Sequence, residues 1–321
     1  MWYKPLIPKP LRWLFNLSSV LVNKCNIRPP QPAADRHGLA AVLIVRNEKN
    51  YLDEWIDFHR KAGVRHFFIY DDLSTDGTAD HLKKQYSPEI LTVIPWHINA
   101  AAGKTGLWIG RQALAYSHAV GTFGSEFRWM MFIDADEFVF PKKSATLMEA
   151  LEPLKAYSNI SLPMVMFGFN DHEHPPSGGV VRNYLRCTAD RFTADKAIIN
   201  FKCIVDPCKI NRVGVHQFAT SDMGECTVND QGMRYHANKW RRKRGSLSCE
   251  NIQLNHYYTR SKQDLAKRLA RGAVSMYPKS KYERDLMSNI ELIERAAVED
   301  LAAVNWYTKR QIETNAKRLT E

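Results

Sequence analysis

Polar clusters follow three apolar runs within the first 140 residues: Arg46-Asn47-Glu48, Asp71-Asp72 and Asp134-Ala135-Asp136-Glu137. The third is the most pointed. At the end of a strand, residues i and i+2 lie on the same side, so Asp134 and Asp136 can turn both carboxylates to one hard cation. Mg2+ or Mn2+ suits such oxygen ligands and keeps positions open for phosphate oxygens. A lone D-x-D triplet is commonly a pair of solvated loop charges. Here five consecutive apolar residues, Trp129 to Ile133, stand directly before it and favour a site.

Spacing excludes other chemistries. No G-x-G-x-x-G follows the first apolar run, which argues against an ordinary dinucleotide site. Gly103-Lys104-Thr105 has the ending of a phosphate-binding P-loop, but Ile98 stands where the earlier glycine is required. Cys203 and Cys208 are not spaced like a C-x2-C zinc ribbon. There is no G-x-S-x-G elbow and no H-E-x-x-H helix.

The elements that must hold these clusters can be read from periodicity. Residues 39–45 (LAAVLIV) are a continuous apolar run, as in a strand buried on both faces of a parallel sheet. Leu52, Trp55, Ile56 and His59 recur at helical spacing, and Gly63 ends that helix. A strand at 66–70, a helix from about Thr78, a strand at 91–94, a helix near 107–120 and a strand at 129–133 follow. Such alternation predicts an α/β, Rossmann-like, mostly parallel sheet. Ligands of such sheets sit outside the carboxyl ends of the strands, so the three clusters fall on one edge.

The second half changes character. Strand-like runs at 160–169, 179–187, 197–205 and 213–218 are followed by a loop-rich stretch over 219–250. A strand at 252–258 leads into helices at about 262–271, 282–303 and 305–318. Ser261 is placed to cap the first of these helices, with Asp264 at its third position and Gly272 just past its end.

The chain has 321 residues, 45 Lys and Arg against 34 Asp and Glu, and a net charge of +11. With 45% hydrophobic and 25% charged residues it is globular, which excludes a disordered or fibrous chain. No run of about 18 apolar residues predicts a conventional span, and Pro5, Pro8 and Pro10 argue against a signal peptide. Residues 1–37 read as an arm. Trp2, Trp13 and Phe15 beside Lys4, Lys9, Arg12 and Lys24 suit a segment lying in a membrane interface or packed on its own domain. A Pro-rich stretch at 28–32 reads as an extended linker. Six cysteines are ordinary for a reducing compartment.

Several motifs, taken in order, resemble family-92-like and related family-2-like glycosyltransferases: Val45-Arg46-Asn47-Glu48, Tyr51-Leu52-Asp53-Glu54-Trp55, Gly63-Val64, the run from Tyr70 to Thr78, and Ile133-Asp134-Ala135-Asp136-Glu137-Phe138. Phe167-Gly168, Phe201 to Val205, Val213 to His216, and Asn255 to Ser261 with Lys267 and Arg271-Gly272 are similar too, so the resemblance covers about residues 39–275. It implies a GT-A fold, with a nucleotide-sugar half at 38–140, an acceptor half at 141–275 and C-terminal helices at 276–321. It also implies inverting transfer of a hexose, galactose first, from a uridine-diphosphate sugar to a glycan, polysaccharide or lipid-linked acceptor. By analogy Arg46 and Glu48 line the base pocket, Asp71 or Asp72 holds the uridine or its ribose, and Lys202 faces the diphosphate. A late histidine completes the metal shell in many such enzymes. His256 is the first candidate and His216 its competitor, each with the alternative of a core histidine bonded to a carbonyl.

Inverting transfer needs a carboxylate base near the acceptor hydroxyl. Asp171, following a strand on the acceptor side, is the first choice, with Glu173, Asp222 and Glu225 open. His172-Glu173-His174 is also an alternative second metal site. The run Lys239-Trp240-Arg241-Arg242-Lys243-Arg244 suits acidic lipid headgroups or a lipid-diphosphate acceptor, a solvated face, or nucleic acid. With the basic arm it favours a peripheral protein on the cytoplasmic face of an inner membrane, with no nucleic-acid partner. The contrary reading is a basic membrane- or nucleic-acid-binding module in which D-x-D is incidental.

Overall fold

The computed structural model describes residues 22–101, 107–192, 199–237, 241–271, 279–295 and 297–320. Four strands form a parallel core: β1 (Leu39–Val45), β2 (Val64–Asp71), β3 (Leu91–Pro95) and β4 (Trp129–Phe132). Their order is β4-β1-β2-β3. Alternate β1 residues serve opposite faces. Leu39, Ala41, Leu43 and Val45 pack with Trp55 and Ile56 of α1 (Lys49–Lys61) and Leu82 of α2 (Thr78–Gln85). Ala40 and Val42 pack with Ala115, Tyr116 and Ala119 of α3 (Arg111–Phe123). Two-sided burial is why the strand reads as unbroken apolar sequence. The chain is therefore a mixed α/β protein whose first half is parallel.

The second half adds β5 (Glu137–Pro141), β6 (Asn159–Phe167), β7 (Phe201–Val205) and β8 (Ile252–Tyr257). β7 runs antiparallel between β4 and β6. β6 pairs with β7 over Asn159–Pro163, then in parallel with β8 from Met164 onward. Pro163, which has no N–H to donate, stands at the change of partner. β8 also pairs antiparallel with β5, which brings Glu137 opposite His256.

Several expectations are corrected. Of the run at 179–187 only its end is extended, in the strand Arg186–Thr188; the Val180 and Val181 N–H groups instead donate to the Glu54 carboxylate at 2.5 and 3.0 Å. The helix expected over 282–303 breaks. α5 (Lys262–Arg271 being α4) spans Lys279–Glu294, then Ala297–Glu299 pairs with Arg186–Thr188, and α6 (Ala302–Thr320) follows. The next helix starts after Asp300, which accepts the Ala302 N–H at 2.9 Å while pairing with Arg191 at 2.7 Å. The chain is anchored on both sides of the Pro-rich stretch. Lys24–Asn26 is a strand against Arg212–Gly214, Ala33 N–H donates to Ser125 O, and Arg36 pairs with buried Asp206 at 2.6 Å.

Residues 1–21, Gly103-Lys104-Thr105, Lys239-Trp240, Gly272 and 276–278 lie outside the described residues. No helix among the described residues is long and apolar enough to cross a membrane.

Candidate functional site

An open cleft of about 1760 Å3 runs along the carboxyl edge of the parallel strands. Arg46, Glu48, Asp72, Asp134, Asp136 and His216 line it. The chain turns sharply where these strands end: Asn47, Leu73 and Arg260 have φ of 60°, 59° and 53° after β1, β2 and β8. Non-glycine residues persist in that region only where surroundings over-determine them. Arg260 shows how. Its guanidinium donates to Glu48 at 2.8 Å and to the Ala135 carbonyl at 3.0 Å, and it stacks 3.7 Å from the Tyr51 ring centre. One buried side chain thus ties the β1 end to the D-x-D loop.

The two aspartates of the D-x-D part company. Asp134 accepts from the Lys202 ammonium at 2.8 Å and from Gln112 Nε2 at 2.7 Å. Asp136 turns to His256, Oδ2 to Nε2 at 3.4 Å. Asp136, Glu137 and His256 each present a ligand atom within 4.8 Å of the other two. Asp134 stands outside that trio. Glu137 is fully buried; its Oε2 accepts the Asp134 N–H at 2.8 Å, while its Oε1 has no hydrogen-bond partner. His256 Nδ1 is likewise buried and unpartnered.

The charges of the trio are interdependent. Burial, reinforced by Asp134 and Asp136, pushes Glu137 up to about 8 against the pull of Lys202 and His256. Burial works to raise Asp136, but the His256 charge and hydrogen bond, with Arg260 and Arg268, hold it well below the carboxylate range. His256 shows the converse: burial lowers it, and Asp136 and Glu137 outweigh that and raise it. Two carboxylates and an imidazole, with two orphaned polar atoms between them, fit a divalent cation of the Mn2+ type.

Other expected residues are placed differently. Lys202 is 1% exposed, and its ammonium pairs with Asp134 at 2.8 Å and Glu137 at 3.5 Å. Burial lowers it, but Asp134 and Glu137 raise it well above its ordinary value. His216 is not in the trio; burial and Lys202 push it down to about 3, and its Nδ1 bonds the Phe201 carbonyl. Asp72 is neutralised by Arg111, while Asp71 Oδ1 is buried without a partner. Arg46 is exposed on the cleft.

Asp171 does not line the cleft. With φ of 65° it turns outward, 79% exposed, and pairs with Arg186. The His172-Glu173-His174 cluster gathers no metal set: His172 Nε2 bonds the Asn183 carbonyl, and Glu173 pairs with Lys262. Asp222 pairs with Lys209, and Glu225 with Arg212. All six cysteines are free. The basic run is split, because Arg241 turns into the cleft while Arg242, Lys243 and Arg244 face solvent.

Sequence reasoning missed the parts played by Glu137, Arg111 and Arg260. Glu137 was visible as the residue after D-x-D, but strand alternation there does not reveal that β8 folds back opposite it.

Comparison with known proteins completes the picture. The profile of "Glycosyltransferase family 92" matches residues 43–294. A glycosyltransferase family 92 protein of Oryza sativa subsp. japonica is 27% identical over 201 residues, covering 61% of this chain and 32% of its own length. Proteins so described from Ricinus communis and Arabidopsis thaliana are each 27% identical, over 160 and 147 residues. These cover 46% and 44% of this chain but 26% and 24% of their own, so the chain spans about a quarter to a third of the curated relatives it matches. Among solved structures, S. aureus TarS residues 1–349 in complex with UDP aligns with 43% of this chain and 38% of its own, at 19% identity and a TM-score of 0.29. A family profile matched from β1 through α5, with the acid and histidine clusters inside it, means that this chain belongs to glycosyltransferase family 92.

Proposed function

We propose that the chain transfers a hexose from a uridine-diphosphate sugar to an acceptor hydroxyl, with inversion, on a GT-A architecture and with Mn2+ or Mg2+ bound. The observation that carries this reading is the trio Asp136, Glu137 and His256, set beside a large cleft at the carboxyl edge of parallel strands. Held there, the cation would supply positive charge against the leaving diphosphate. Glu48, fixed by Arg260, and Arg46 border the nucleotide end. The unpartnered Asp71 Oδ1 is a spare acceptor for a base N–H or ribose hydroxyl. Asp134 is clamped by Lys202 and Gln112, which fixes the loop carrying Asp136.

Galactose is the first donor sugar to test, on the family resemblance. Asp171 as base would require an acceptor that reaches the exposed ledge beside Arg186. An unaltered rate in Asp171→Asn would remove it from that role.

Calorimetry of the full chain with uridine diphosphate, with and without Mn2+, tests the reading directly. Binding that requires Mn2+ and disappears in Asp136→Asn is expected. No binding at millimolar nucleotide with Mn2+ present would end it.

A further inference from the structure

We propose that the cleft carries a second anion site, centred on Arg241, for a phosphate or carboxylate borne by the acceptor; this rests on the transferase reading above. Arg241 is 8% exposed and lines the cleft. Its Nη1 donates to the His216 carbonyl, and its guanidinium lies 4.2 Å over the Phe201 ring. Three other cations at the cleft pair with acids: Arg111 with Asp72, Arg260 with Glu48, and Lys202 with Asp134 and Glu137; Arg268 donates to the Tyr258 carbonyl and senses the Asp136 charge. Arg241 has no such acid among the described residues. Burial holds it below its ordinary value, and the neighbouring charge of Arg242 lowers it further. A buried guanidinium without a counter-charge is costly until an anion arrives.

The surroundings offer donors. Gln217, next to the carbonyl that Arg241 holds, has its Nε2 buried without a partner and lines the same cleft. Asn200 and Lys24 line it too. Burial and Lys202 keep His216 neutral, with its Nδ1 on the Phe201 carbonyl, so its ring brings no charge of its own to the site. Together these are donor groups waiting for a planar or tetrahedral oxyanion.

Topology separates this site from the nucleotide end. Asn200 precedes β7, which lies on the opposite side of β4 from β1 and β2. The Arg46, Asp71 and Asp72 groups end β1 and β2. Arg241 therefore lies on the second-half side of the cleft, away from the uridine end, and competition between probe and nucleotide decides whether its anion belongs to the acceptor or to the donor.

The experiment titrates phenyl phosphate, methyl glucuronide and neutral methyl glucoside into the full chain by calorimetry, with and without saturating uridine diphosphate and Mn2+. Two variants accompany it, Gln217→Glu and Arg241→Gln. Gln217→Glu places an acid beside Arg241, so it should melt no lower than the wild type and keep its nucleotide affinity. We expect one anionic probe to bind the nucleotide-loaded wild type about tenfold tighter than methyl glucoside, and to lose that margin in both variants. Which probe binds says whether the acceptor group is phosphate or carboxylate. Equal binding of all three probes overturns the proposal. So does competition between probe and nucleotide, or an Arg241-dependent preference for uridine-diphosphate glucuronate over uridine-diphosphate glucose, since either assigns the site to the donor. Nucleotide that fails to bind the wild type, with anion binding intact, would sink the transferase reading alone.

Discussion

At the residue scale, the structure divides the work of three acids that are adjacent in sequence. Asp136 and Glu137 face His256, whereas Asp134 is spent on Lys202 and Gln112. Asp136→Asn and Glu137→Gln should therefore weaken Mn2+ binding by about 100-fold, and Asp134→Asn only by about tenfold, as supporting groups do. Paramagnetic titration of the free ion measures both. Equal losses at Asp134 and Asp136 would restore the simple reading of D-x-D as a two-carboxylate clamp. Lys202 gives a second prediction. Buried between Asp134 and Glu137, it holds charges that would otherwise lack a counter-ion, so Lys202→Met should cost about 3 kcal/mol in urea unfolding. A variant of unchanged stability that lost only turnover would return Lys202 to the diphosphate. The D-x-D stood out in the sequence because it follows a buried strand, whereas His256 came forward through the family resemblance. The partition among them was not legible, because it depends on Lys202 and His256 arriving from strands 68 and 120 residues away from the acids they meet.

At the element scale, α1 does more than fill one face of the sheet. Trp55 Nε1 donates to the Glu137 carbonyl at 2.8 Å, and His59 accepts the Val139 N–H at 3.1 Å while its other ring nitrogen bonds the Trp55 carbonyl. The helix thereby fixes β5, and with it the acid of the trio. His59 must be neutral for this, and burial pushes it down to about 3 despite the Trp55 carbonyl. The unfolded chain takes up a proton near pH 6.5 that the folded chain refuses until about pH 3, so stability is full above pH 6.5 and falls as pH drops through that window. Between pH 6.5 and 5 the His59 contribution to the loss should be about 2 kcal/mol. Urea unfolding across that range measures it; His59→Leu, though less stable at pH 7, should show a shallower slope, and an unchanged slope would acquit the residue. Periodicity showed α1 well, since Leu52, Trp55, Ile56 and His59 are all buried. It failed at 179–187 and at 282–303. Val180 and Val181 look like strand residues, yet their N–H groups go to the Glu54 carboxylate, and Asp300 caps a new helix inside a pattern that reads as helical. In both places a side chain took over backbone hydrogen bonds, and only tertiary placement reveals that.

At the scale of the whole molecule, a net charge of +11 and an exposed Arg242-Lys243-Arg244 face favour an anionic surface, each basic group near it adding about 1 kcal/mol. We propose that the chain is peripheral on the cytoplasmic face of an inner membrane, held partly by the Trp- and Lys-bearing residues 1–21. The structure changes how that must be tested. Deleting residues 1–30 would strip Lys24–Asn26 from its pairing with Arg212–Gly214, directly beside Val215 and His216 on the cleft wall, and would disturb the site as well as the arm. Deleting residues 1–21 leaves that strand and the Arg36–Asp206 pair in place. The full chain should sediment with vesicles rich in anionic lipid at low salt and be released as salt shortens the screening length to a few ångströms. The chain lacking residues 1–21 should bind more weakly at every salt concentration, while keeping its affinity for uridine diphosphate. The triple variant Arg242→Gln, Lys243→Gln, Arg244→Gln should lose part of the salt-sensitive binding, keeping the arm's share from Lys4, Lys9 and Arg12 and its salt-insensitive apolar insertion. Identical partitioning of all three proteins would leave the arm and the basic face as ordinary surface.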